Sequence, residues 1–73
     1  MPLENVEVPL PGKVIDVNVS SGDKVNEGDE LCTIESMKME NPVLAPVSGV
    51  ITEVSISQGQ MVKAGSTIAV IEY

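Results

Sequence analysis

Histidine and arginine are missing from this 73-residue chain, and its four basic residues are all lysine. Tryptophan and phenylalanine are missing too; Tyr73 is the single aromatic and Cys32 the single cysteine. Each absence excludes something. Without histidine there is no Ser-His or Cys-His pair for nucleophilic catalysis, and the chain has no phosphate-cradling loop or metal-ligand cluster either. One cysteine excludes an intrachain disulfide and fits a reducing compartment. No apolar run is long enough to span a membrane, and the N-terminus lacks the charged and apolar regions of a signal peptide. Eleven acids leave a net charge of −7, which repels phosphate backbones and excludes nucleic acid as a natural partner. Such a surface suits solubility and docking on basic partners.

What remains is mostly Val, Ile, Leu and Ala, a composition that favours strands over helices because β-branched side chains pack well on a pleated surface. At this length the chain is one domain, 1–73, near the lower limit for independent folding. With neither disulfide nor metal to help, apolar burial and well-formed turns must supply its stability.

The apolar residues are organised as a duplication. A shift of 37 residues places Gly12, Gly22 and Gly28 on Gly49, Gly59 and Gly65, so all six glycines pair. It also places Pro9 on Pro46, Val17 on Val54, Val19 on Ile56, Val25 on Val62, Leu31 on Ile68, Ile34 on Ile71 and Glu35 on Glu72. Cys32 falls on Ala69, and a position that accepts either residue reads as a small buried slot. Each copy reads as an opening strand (14–19, then 50–56), a Gly turn, a short apolar touch at Val25 or Val62, a second Gly turn, and a closing strand (31–35, then 67–72). Positions apolar in both copies, Val14/Ile51, Val17/Val54 and Val19/Ile56, are spaced by three and then two. A regular strand cannot hold that spacing on one face, so a bulge or corner is expected near Ile15 and Thr52. The closing strands are almost continuously apolar, as for strands between two packed layers. No window has helical periodicity with caps, and Pro42 and Pro46 disfavour a helix in the linker 39–46. The expected architecture is all-β, a flattened barrel or sandwich of two half-units related by a pseudo-twofold axis, neither able to bury its apolar face alone.

Lys38 lies on the seam of the two copies and reads as having no internal counterpart. The pseudo-twofold axis should put it at one pole and the chain ends at the other. With strands on either side, Met37 and Lys38 become the centre of a tight hairpin. Neither is a usual turn former, and a local rule broken at one place is a sign of function. An isolated Met-Lys-Met would be an ordinary solvated turn; its position at the joint of a duplication makes Lys38 a candidate for attachment chemistry. Glu35 and Glu40 read as solvated flanks.

The tag Glu35-Ser36-Met37-Lys38-Met39 resembles the Ala/Ser-Met-Lys-Met site of the biotinyl domain family, the biotin carboxyl carriers. The likeness runs from about Val8 to Glu72 and includes Pro11-Gly12, Ser21-Gly22-Asp23-Lys24-Val25, Glu27-Gly28-Asp29 and Ala45-Pro46-Val47-Ser48-Gly49. The sister lipoyl domains share the fold and usually carry Asp-Lys-Ala at this turn, so a lipoyl carrier of an acyltransferase complex is the alternative. The resemblance implies biotin amide-linked to Lys38 by a biotin protein ligase, with Met37 and Met39 as recognition or positioning residues. It implies a carrier with no acid, base or metal of its own, loaded by a biotin carboxylase and unloaded by a carboxyltransferase or decarboxylase. Carriers of bacterial acetyl-CoA carboxylases have an extra loop in the first half; the gap-free match here favours acyl-CoA and pyruvate carboxylases, transcarboxylases and decarboxylases. A monomeric cytoplasmic domain is expected, in the mitochondrial matrix if it belongs to a larger eukaryotic carboxylase.

Overall fold

The computed structural model describes residues 2–73. Its strands are β1 (Leu3–Glu7), β2 (Gly12–Val17), β3 (Lys24–Val25), β4 (Glu30–Ser36), β5 (Met39–Leu44), β6 (Gly49–Val54), β7 (Met61–Val62) and β8 (Thr67–Glu72). No helix occurs among the described residues. They form two four-stranded antiparallel sheets, ordered β1-β8-β6-β3 and β5-β4-β2-β7. The 37-residue shift converts one order into the other, strand for strand.

The symmetry extends to single hydrogen bonds. Gly22 N donates to Ile51 O at 2.7 Å and Gly59 N to Val14 O at 2.7 Å; Gly28 N donates to Ala45 O at 2.9 Å and Gly65 N to Val8 O at 2.8 Å. In each of these bonds a turn of one half holds a segment of the other. The sheets are likewise mixed: β1 pairs with β8, β3 with β6, β4 with β5 and β2 with β7. The halves are thus interlaced, which explains physically why neither could stand alone.

The expected bulge is present. Val14 pairs with Ile34 and Asp16 with Thr33, leaving Ile15 as the extra residue; in the other sheet Ile51 pairs with Ile71 and Glu53 with Val70, leaving Thr52. A bulge also corrects the reading of the closing strands. Glu30 pairs with Leu44 but Cys32 with Val43, so Leu31 is the extra residue, as Ile68 is between Thr67 and Ala69. The bulge lets consecutive side chains, Leu31 with Cys32 and Ile68 with Ala69, enter the same core. The apolar run therefore marks an irregularity within one sheet rather than a strand between two layers. Val6, Val8, Val14, Ile34, Val43, Ile51 and Ile71 join those residues in one cluster, and among the described residues no charged or polar one is buried.

Two sequence readings are corrected. The opening strands run 12–17 and 49–54, so Val19 and Ile56 lie beyond their ends, although Ile56 is still buried. The segment 39–46 is no linker: its first six residues are β5, the symmetry mate of β1, a strand that lies before Pro9, the earliest residue matched in the duplication. The unit therefore begins earlier, and the shift sets Lys38 against Met1, which lies outside the described residues. Pro42 is accommodated because β5 is an edge strand.

The four Gly turns behave as the sequence implies. Gly22, Gly28, Gly59 and Gly65 have φ between 89° and 96°. Asp23 N donates to Ser20 O at 3.1 Å, and the Asp23 carboxylate accepts from Ser20 N at 2.8 Å, closing the first turn from both sides. A side chain at Gly22 would meet no atom within 4 Å, so its cost there is conformational. Gly22→Val should lose about 1–2 kcal/mol because a β-branched residue resists positive φ. The measurement is a thermal melt, with Tm expected to fall by roughly 5–15 °C; an unchanged Tm would contradict this account of the turn.

Candidate functional site

Hairpin β4–β5 builds the site. Its register is Glu35 opposite Glu40 and Ser36 opposite Met39, which leaves Met37 and Lys38 as a two-residue loop. Their φ values are 53° and 65°, the only positive values at non-glycine residues among those described. Both central residues left-handed is the type I′ arrangement, whose twist matches the flanking strands and which Asn-Gly normally fills. Two ordinary side chains there cost about 1–2 kcal/mol each. The fold therefore holds a strained turn at the point where the sequence broke its own rules.

The three sequence-chosen residues are together at this tip. Lys38 is exposed, Met37 is 93% exposed and Met39 66%. Large apolar side chains this open add nothing to the core. The tip is also far from the chain ends. Glu72 pairs with Val50, β3 pairs with β6 at Gly49 and Val50, and Gly28 bonds to Ala45 beside the first residues of β4. Tyr73, whose N donates to Pro2 O at 3.0 Å, thus lies with Pro2 where β4 begins, and Lys38 lies where it finishes. A seven-residue strand covers about 20 Å of a body 36 Å long.

Two supporting roles escaped the sequence reading, that of Asn41 and that of Gly12, which the sequence marked only as a paired glycine. Asn41 lies partly buried under the loop, and its amide nitrogen donates to Met39 O at 3.3 Å and Ile34 O at 3.5 Å. Its symmetry mate is Glu4, so the difference between the halves was the available signal. Gly12 is the other: a β-carbon there would run into the Glu35 carbonyl and the Ile34 side chain. Only glycine lets β2 come this close to the base of the hairpin. Gly49 does the same against Glu72 and Ile71.

Cys32 is fully buried one strand-length from the tip, and burial pushes its thiol up to about 11. Desolvation disfavours the thiolate, so the native thiol should resist Ellman's reagent at pH 8 and react fully after denaturation. The raised value also couples to stability: its contribution is complete below about 9, the ordinary value, and is lost as pH rises through about 11. Denaturant midpoints of wild type and Cys32→Ala, compared from pH 8 to 11, should converge in that upper range if the thiol is responsible.

A family model described as "Biotin-requiring enzyme" matches residues 4–71. The chain belongs to this family. Among its relatives, mitochondrial pyruvate carboxylase of Mus musculus is 51% identical over 41 residues, 56% of this chain and 4% of the relative. The gamma subunit of glutaconyl-CoA decarboxylase from Acidaminococcus fermentans is 51% identical over 39 residues, 53% of this chain and 27% of the subunit. The gamma subunit of methylmalonyl-CoA decarboxylase from Veillonella parvula is 46% identical over 43 residues, 59% of this chain and 33% of the subunit. This biotin-family chain thus spans a third or less of the length of these three relatives. In structure it is similar to the urea carboxylase of Kluyveromyces lactis, with a TM-score of 0.90 and 33% identity over 99% of this chain and 6% of that one. A single-chain, multi-domain long-chain acyl-CoA carboxylase gives 0.88 and 28% identity over 93% of this chain and 7% of that one.

Proposed function

We propose that this chain is a biotin carboxyl carrier with biotin amide-linked to the ε-amine of Lys38. The observation that carries the reading is the strained, fully presented turn: the fold spends conformational energy to hold a primary amine at its tip, where a bulky enzyme can reach it. The site fits such a group. Nothing of the core surrounds the loop, and exposed Met37 and Met39 flank it as contact surface for the modifying ligase. The family description names biotin, and the relatives are carboxylases and decarboxylases, which supports biotin over lipoate.

Attachment forms an amide between Lys38 Nζ and an activated biotin acyl group, with loss of the leaving group and one amine proton. A free lysine is mostly protonated at neutral pH, so the ligase supplies the deprotonation. Bound biotin supplies the carboxylate-carrying chemistry. The protein holds the arm on a rigid hairpin away from its own chain ends, which raises the local biotin concentration at a carboxylase site and at a carboxyltransferase or decarboxylase site. The domain itself contributes no catalytic group.

The test is competition. Protein made with biotin, lipoate and both ligases present is digested and mapped by mass spectrometry. A biotinyl increment confined to the Lys38 peptide is expected. A lipoyl increment there, or an unmodified Lys38, defeats the reading.

A further inference from the structure

We infer that this chain exchanges halves with a second copy of itself, hinging at Met37–Lys38. The four pairings that join the halves, β1 to β8, β3 to β6, β4 to β5 and β2 to β7, do not depend on the halves sharing one chain. Only the two-residue loop links 2–36 to 39–73. No disulfide reinforces it, since Cys32 is free, and Pro2 and Tyr73 are at the opposite pole. The hinge is also strained: both its residues are non-glycine with positive φ, and straightening β4 into β5 returns them to the extended region. Short hinge loops under strain favour swapping, because the exchanged dimer keeps the native contacts and loses the strain.

The register specifies the dimer. Ser36 lies opposite Met39 and Glu35 opposite Glu40. If β4 continues straight into β5, this ladder runs through the hinge without interruption, and Met37 pairs with Lys38 of the partner subunit. Two copies then share one long antiparallel ribbon around a twofold axis, with a complete module at each end. The protruding turn no longer exists in that form. Resting on the proposed function, the swapped dimer and the substrate of the ligase are mutually exclusive states.

The 73-residue chain is refolded at millimolar and at micromolar concentration and sized by chromatography with light scattering. A dimer enriched at the higher concentration and slow to dissociate on dilution is expected. Met37→Asn with Lys38→Gly, which installs the preferred type I′ pair, should raise its dissociation constant by at least about tenfold. Deleting Met37 and Lys38 should make the dimer obligatory; a folded monomer from that variant overturns the inference. Should the deletion not fold, Glu35→Cys with Glu40→Cys in a Cys32→Ala background decides. Oxidised after refolding at millimolar concentration, the opposed pair should cross-link two chains, and intrachain disulfides alone overturn the inference. Incubating separated monomer and dimer with ligase, biotin and ATP tests the consequence: the monomer should be labelled and the dimer not. A labelled dimer overturns the exclusion. If neither form is labelled, the functional reading fails while the size and cross-linking results still decide the swap.

Discussion

Lys38→Arg yields a folded chain that accepts no biotin. The substitution keeps the positive charge, but amide formation needs a neutral amine, and a guanidinium is not deprotonated in proteins. The fold should not register the change, because the Lys38 side chain is exposed and makes no contribution to the buried cluster. Melting should stay within about 0.5 kcal/mol of wild type. The other lysines are not expected to substitute: Lys13 lies within β2, Lys24 within β3 and Lys63 in a loop whose positive φ falls on Gly65. Avidin blotting after incubation with ligase, biotin and ATP should show a strong band for wild type and none for the variant. An equal band for Lys38→Arg would remove the site assignment outright.

Leu31→Ala should be the most damaging single core truncation. Leu31 is fully buried, and its carbonyl is fixed by Asn18 N at 2.9 Å, so the backbone of the bulge is not free to move in and fill the space left by the side chain. Leucine truncations in cores cost about 2–5 kcal/mol, depending on how far the cavity collapses. A domain of this size has roughly 4–11 kcal/mol in total. The expected fall in Tm is about 10–30 °C, enough to leave a sizeable unfolded fraction at physiological temperature. Its symmetry mate offers a control: Ile68→Ala removes the equivalent bulge residue from the other sheet and should cost a similar amount. A loss below about 1 kcal/mol at Leu31 would show that the bulge closes over the gap, and would contradict the role given to it here.

The parts of this fold legible in the sequence were those encoded by repetition or by rules of local chemistry. Four of the six paired glycines, Gly22, Gly28, Gly59 and Gly65, announced the turns, because positive φ leaves few alternatives. A three-then-two spacing of apolar residues announced the bulges at Ile15 and Thr52, since alternation cannot otherwise be kept. Strand β1 was hidden for the opposite reason. Leu3–Glu7 contains one buried residue, Val6, and four that are not, so its alternation is weak. Only its equivalence to β5 marks it. The closing strands misled because a continuous apolar run is compatible with both a doubly covered strand and a bulged one. Asn41 was passed over since its amide matters only when the carbonyls of Ile34 and Met39 are within its reach.

The sequence alone determined that two like half-units build an all-β body and that a single lysine lies at their joint, because turn residues and apolar spacing act locally. Tertiary structure decided the rest. Interlacing of the halves and the close approach of Gly12 to Glu35 arise from pairing between segments distant in the chain, and the left-handed strain at Met37 and Lys38 from the register that pairing β4 with β5 imposes on a two-residue loop. Strand partners and their register are set by closing the whole body around one core, and no local pattern of residues specifies them.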